Sequence, residues 1–232
     1  MPPNDQRAPR AVRSYVLRAG RITPAQERAL AEHWPRYGVE FEPRTLELSQ
    51  LFGRTAPCTL EIGFGNGEHL LERARAQAQQ NFLGVEVHRP GVGHLLLAAA
   101  ADSLTNLRVI AHDAVEVLEQ QIPPASLAEV QLLFPDPWPK KRHHKRRLVQ
   151  GAFARLLAER LVPGGQLHVA TDWEPYAQDM LVVLNGCDLL RNFDPQGGFT
   201  EPGHTHSRRA TRFERRGERL GHKVFELLFQ RS

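Results

Sequence analysis

From Cys58 onward the chain repeats one pattern several times: a short apolar run, a turn signal, then a stretch with helical spacing. That alternation predicts an α/β fold, a mostly parallel, doubly wound sheet wrapped by helices. The apolar runs place strands at Thr59–Ile62, Phe82–Val87, Arg108–His112, Val130–Phe134 and Gln166–Thr171, with helices starting at Glu68, Gly93, Val115 and Leu148. Trp173 to Asn185 reads as a further helix with Asp172 at its cap. An earlier helix opens at Thr23-Pro24, where Thr suits the cap and Pro the first turn, and it is expected to end near Trp34-Pro35. Asn192 to Ser207 is rich in Gly, Pro and polar residues and is expected to be a loop. A helical stretch at Thr211–Leu220 and a last strand at Val224–Phe229 follow. Residues 1–22 read as a basic arm, because Pro2, Pro3 and Pro9 discourage regular structure, and residues 23–232 as one domain.

A length of 232 residues suits one large α/β domain with a continuous core. With 41% hydrophobic and 24% charged residues the composition is that of a globular protein, which excludes disordered and fibrous classes. The longest apolar run, Leu95 to Ala101, is far short of the roughly 20 residues of a membrane span. The N-terminus lacks the apolar stretch of a secretory signal, so a cytoplasmic protein with no membrane association is expected. Cys58 and Cys187 are far apart and read as two buried thiols rather than a disulfide framework, a zinc site or a redox pair.

Charge changes this picture more than composition does. The net charge is +4, yet Met1–Gln26, Lys140–Arg147 and Arg208–Lys223 together carry +15, which leaves −11 on the rest of the chain. One basic run is most simply a solvated face. Three around an acidic body point to a polyphosphate partner, which releases condensed counterions on contact.

The first predicted strand runs into Glu61-Ile-Gly63-Phe-Gly65-Asn-Gly67 and then a helix. Glycines there permit a tight turn and bring backbone N–H groups to a ligand at the positive end of the helix. By itself such a turn equally suits a nicotinamide dinucleotide, or no ligand at all. The Gly-x-Gly-x-Gly spacing departs from the dinucleotide fingerprint, and no Gly-Lys-Ser/Thr follows to make a triphosphate loop. Glu86 ends the second strand 23 residues after Gly63, where a carboxylate can accept from ribose hydroxyls, and Asp113 follows the third, where it can accept from an adenine amino group. Acids on consecutive strand ends suit a ligand with ribose, amine and sulfonium groups, S-adenosylmethionine.

Beyond the fourth strand lies Pro135-Asp136-Pro137-Trp138-Pro139, whose prolines are expected to hold Asp136 stiffly at the carboxyl edge of the sheet. Lys140, Lys141, Arg142, His143, His144, Lys145, Arg146 and Arg147 follow at once and would deliver a polyanion to the methyl donor. Adjacent His143 and His144 without nearby Cys or Asp make a weak metal site, so no metal is expected.

The chain resembles the bacterial tRNA (guanine-N(7)-)-methyltransferases of the TrmB type over nearly its whole length. The matching residues are Arg18-Ala-Gly-Arg21 with Thr23 and Gln26, Leu60–Gly65, Phe82–Val87, Phe134–Trp138, Lys145–Arg147, Ala170–Trp173 and Thr211-Arg212-Phe213-Glu214. The resemblance implies a Rossmann-like class I S-adenosylmethionine-dependent methyltransferase fold. It implies that Glu61, Glu86, Asp113 and Asp136 contact the methyl donor, beside Gly63, Gly65 and Gly67, and that Asp136 is the catalytic residue. Lys140, Asp172 and Thr211–Glu214 would touch the guanosine, and Arg142–Arg147 the RNA backbone. The implied substrate is a guanosine in the variable loop of tRNA, and no obligatory protein partner is expected. Two rivals stay open. One is methylation of an exocyclic amine, disfavoured because the second Pro of an Asp-Pro-Pro-aromatic turn is missing. The other is a nonenzymatic RNA-binding protein with a decayed pocket, disfavoured by the intact acids and glycines.

Overall fold

A computed structural model describes residues 14–15, 21–200 and 223–232. Among these, the helices are α1 (Pro24–Tyr37), α2 (Leu48–Phe52), α3 (Glu68–Ala76), α4 (Arg89–Ala101), α5 (Ala114–Gln120), α6 (Gly151–Arg160) and α7 (Glu174–Asn185). The strands are β1 (Gly38–Val39), β2 (Cys58–Ile62), β3 (Asn81–Val85), β4 (Leu107–Ile110), β5 (Leu127–Leu133), β6 (Leu161–Thr171), β7 (Leu190–Asn192) and β8 (Phe225–Arg231).

All eight strands pair into one sheet in the order β1-β4-β3-β2-β5-β6-β8-β7. From β1 to β6 every pairing is parallel, and β8 lies antiparallel to both β6 and β7. The chain leaves β2 for β3 and β4 on one side and returns to β5 on the other. The β2/β5 boundary is therefore the switch point beyond which open α/β sheets seat ligands.

Central strands are buried on both faces, hence their continuous apolar runs. Residues of α1, α3 and α4 pack with Phe82, Leu107 and Val109 on one face. On the other, α2, α5, α6 and α7 pack with Leu60, Val130, Leu167 and Phe229. One stretch of the first face is polar. Glu61, Gln131 and His168 stand in register across β2, β5 and β6, all at most 4% exposed. Glu129, two residues before Gln131, takes a two-pronged ion pair from Arg73 at 2.9 and 2.8 Å. Burial alone would raise its pKa, but the Arg73 pairing outweighs this and holds the carboxyl below its ordinary range.

The expected helix at Thr23-Pro24 carries a full capping box, with Gln26 N donating to Thr23 Oγ1 at 3.2 Å and Thr23 N to Gln26 Oε1 at 2.9 Å. It continues through Pro35 to Tyr37, where Tyr37 OH donates to Ala99 O at 3.0 Å and ties the end to α4. Helix α4 starts at Arg89, four residues before the expected Gly93, with Pro90 in its first turn. Helix α6 starts at Gly151, three residues after the expected Leu148. The expected loop from Asn192 is preceded by the short strand β7, and the expected helix at Thr211–Leu220 lies outside the described residues. Among the described residues no helix is long and apolar enough to cross a membrane. Both cysteines are free and buried, and burial pushes the Cys58 thiol up to about 12.

Candidate active site

The carboxyl ends of β2 to β6 lie along one edge of the sheet, which gathers residues distant in sequence. After β2 the backbone turns through Gly63, Gly65 and Gly67 with φ of 70, 59 and 76°, a left-handed region that only glycine occupies at little cost. A Cβ on Gly63 or Gly65 would meet nothing within 4 Å, so the loop faces open space. Glu86, at the tip of β3, braces this loop. Its Oε2 accepts from Gly65 N at 2.8 Å and its Oε1 from Val87 N and His88 N at 2.7 and 2.9 Å. Three of a carboxylate's roughly four acceptor positions are thus spent on the backbone. Glu61 is 3% exposed and sits under the loop, its Oε2 2.9 Å from His69 Nδ1 on α3.

At the tip of β4, Asp113 caps α5, its Oδ1 accepting from Val115 N at 2.8 Å. Beside it His112 stacks on Phe41, with ring centroids 3.7 Å apart and an interplanar angle of 10°. At the tip of β6 the structure corrects the expected role of Asp172 as a helix cap. Trp173 holds the cap position of α7, its N donating to Thr171 Oγ1 at 3.2 Å, and makes no side-chain cap bond. Asp172 stays at the strand tip, one strand over from the loop that carries Asp136.

That loop leaves β5 at Phe134, whose N donates to Ala170 O at 2.8 Å. Phe134 and Trp138 both have positive φ, 55 and 45°, and they bracket Asp136. Bulky side chains in this region cost on the order of 1–3 kcal/mol each and persist only where surrounding contacts over-determine them. The prolines were expected to stiffen the loop; the structure adds a strained residue at each end. Trp138 is pinned by Arg146, whose guanidinium lies 4.3 Å over its ring, by the edge of His143, and by donation of its Nε1 to Ser14 O at 2.9 Å. Trp138 is therefore committed to loop packing. Asp136 itself is exposed.

Lys141–Arg146 wind into a 3₁₀ turn with Lys140, Lys141, Arg142 and Lys145 exposed and His143, His144 and Arg146 half-buried. Desolvation, and then the cations of Arg142, Arg146, Lys140 and Lys145, hold the His143 imidazole below its ordinary pKa. Arg147 breaks the expectation that the whole run faces RNA. It is 5% exposed, donates from Nε to Pro137 O at 2.9 Å, forms an ion pair with Asp179, and lies 4.8 Å over the Tyr176 ring. The Tyr176 hydroxyl, pushed up to about 12 chiefly by burial, accepts from Val149 N at 3.1 Å.

The family model described as "Putative methyltransferase" matches residues 55–227. A tRNA (guanine-N(7)-)-methyltransferase of Methylococcus capsulatus is 54% identical over 229 residues, covering 97% of this chain and 96% of its own. Another, of Cronobacter sakazakii, is 54% identical over 222 residues, covering 96% and 92%. The chain belongs to the tRNA (guanine-N(7)-)-methyltransferase family. Among solved structures the 16S rRNA methyltransferase KamB superposes with a TM-score of 0.57 at 20% identity, covering 80% of this chain and 93% of its own, which establishes the shared fold. For this family member the described residues bring Glu61, Gly63, Gly65, Gly67, Glu86, Asp113, Asp136 and Asp172 to one edge of the sheet. Thr211, Arg212, Phe213 and Glu214 lie outside the described residues. The sequence pattern did not point to His69, to the Phe41–His112 stack or to the clamp on Arg147. His69 and Tyr176 read as ordinary helix positions, and no spacing links Phe41 to His112, 71 residues away.

Proposed function

We propose that this chain transfers the methyl group of S-adenosylmethionine to ring nitrogen 7 of a guanosine in the variable loop of tRNA. The observation that carries this is the edge on which carboxylates at successive strand tips surround an open-faced glycine loop, next to an exposed aspartate and a basic turn. The residues fit the methyl donor. The space over Gly63 and Gly65 admits a ligand against the backbone, Glu61 and Glu86 lie under and beside the loop, and Asp113 keeps one carboxylate oxygen beyond its capping bond. In this assignment Glu86 both braces the loop and accepts a ribose hydroxyl with its remaining acceptor position. Bound there, S-adenosylmethionine supplies a methyl group already activated on a sulfonium.

Nitrogen 7 of guanine carries an available lone pair and no proton, so the protein needs no obligatory base. Its work is to hold the ring in line with the methyl group and to stabilise the positive charge that develops on the imidazole half of the base. We assign that electrostatic and orienting role to Asp136, with Asp172 on the neighbouring strand tip and Lys140 holding the guanosine. Lys141, Arg142, Lys145 and Arg146, with His143 and His144, face the RNA backbone. Residues 211–214 complete the guanosine site by family resemblance, and residues 23–232 act as one domain with 1–22 as a basic arm.

The test uses labelled methyl donor and two tRNA transcripts, one with guanosine and one with 7-deazaguanosine in the variable loop. Label is expected on the first alone; label on both excludes nitrogen 7 as the acceptor.

A further inference from the structure

Asp136 is exposed, yet its loop is bracketed by two left-handed bulky residues, so something must hold the aspartate in place. The prolines fix their own φ but cannot hold Phe134 or Trp138 at positive φ. The peptide unit entering Trp138 carries the Pro137 carbonyl, and that oxygen accepts from Arg147 Nε at 2.9 Å. The same guanidinium pairs with Asp179 and stacks on Tyr176, two residues one turn apart on α7. A planar fork that donates in two directions while stacking on a ring is a function of arginine that lysine cannot reproduce.

We propose that Arg147 is a positioning residue for the reaction, clamping the strained peptide after Asp136 to α7 so that the aspartate is aimed before RNA arrives. The proposal rests on the assignment of Asp136 given above. It separates Arg147 in role from the exposed cations Lys140, Lys141, Arg142 and Lys145 of the same run. The carboxylate partner Asp179 stands more than a full turn into α7.

Three variants test this: Arg147→Lys, Asp179→Asn and Asp136→Asn. Single-turnover methyl transfer at saturating tRNA and methyl donor is expected to fall roughly 30-fold in Arg147→Lys and about 5-fold in Asp179→Asn, as for a group displaced by a fraction of an ångström. Dissociation constants for tRNA and for S-adenosylhomocysteine should stay within about 2-fold of the parent, and the salt dependence of tRNA binding should not change. A weaker tRNA complex in Arg147→Lys with an unchanged single-turnover rate makes Arg147 a phosphate contact, whose two-pronged geometry lysine cannot reproduce, and overturns the clamp. A lowered melting temperature with an unchanged rate overturns it as well, leaving only a structural role. Should Arg147→Lys fail to fold, Asp179→Asn decides, because it removes the partner's charge and leaves the arginine in place. If Asp136→Asn keeps the full rate, the assignment of the aspartate has failed; if it is crippled while both clamp variants are unaffected, only the clamp has.

Discussion

His143 shows how a single side chain can report on what the surface binds. It stands among Arg142, Arg146, Lys140 and Lys145, and desolvation together with these cations disfavours its protonated form. Its folded pKa lies below the unfolded value, so the unfolded chain binds more protons as pH falls. The stability His143 contributes is complete above its unfolded pKa of about 6.5 and is lost as pH drops through the window below it. A bound phosphate reverses the local field and raises the pKa, so tRNA binding should take up a proton and tighten as pH falls towards 6. Imidazole resonances followed by NMR should place the free His143 below 6.5 and move it upward on adding tRNA. A free value at or above 6.5 contradicts the depressed pKa, and no movement with tRNA contradicts the assigned surface.

Helix α4 sets the shape of the cofactor edge through one missing side chain. A Cβ on Gly91 would lie 2.0 Å from the carbonyl oxygen of Gly65, so Gly91→Ala must push the helix and the glycine loop apart. Overpacking of this kind costs about 1–3 kcal/mol, and here it also displaces the loop proposed to cradle the methyl donor. The variant should melt lower and bind S-adenosylhomocysteine at least roughly 10-fold more weakly by calorimetry. Gly151→Ala is the control: its Cβ meets nothing at the start of α6 and should leave stability equal or about 0.5 kcal/mol higher. Equal behaviour of the two variants would rule out the close approach. Gly91 and Gly93 also explain why the start of α4 was misplaced. Their role is tertiary, since they let α4 approach Gly65 and the Gln26 backbone of α1, and no local spacing shows that. Five of the six parallel strands, β2 to β6, were legible because each is an apolar run closed by a turn signal. The two residues of β1 were not, since only their pairing with Val109 and Ile110 makes them a strand. At the site, the placement of the acids and glycines at the strand tips could be read because it depends on local spacing. Arg147 could not: its partners Asp179 and Tyr176 are about 30 residues away, and nothing local distinguishes it from the arginine before it.

On the scale of the whole molecule, the segregation of charge makes a quantitative claim. With +15 concentrated in three segments of the sequence and −11 on the remainder, a polyphosphate bound as proposed would be oriented as well as held. The 3₁₀ turn after Asp136 is the strip that the fold places beside the strand tips, and Lys141, Arg142 and Lys145 are its exposed members. Replacing these three by Gln removes three cations without touching the Trp138 packing or the Arg147 clamp. Each phosphate contact contributes roughly 0.7–0.9 to the slope of log affinity against log salt, so the slope should become shallower by about 2–3. With these residues assigned to the backbone rather than the base, the rate at saturating tRNA should stay near the parent value while the tRNA concentration needed for half-saturation climbs. Filter binding between 50 and 200 mM salt, paired with single-turnover assays, separates the two quantities. An unchanged slope would move the RNA track away from the turn, onto the basic segments near the two ends of the chain. A lost rate at saturation would give these cations a part in aligning the base that their exposed positions do not predict.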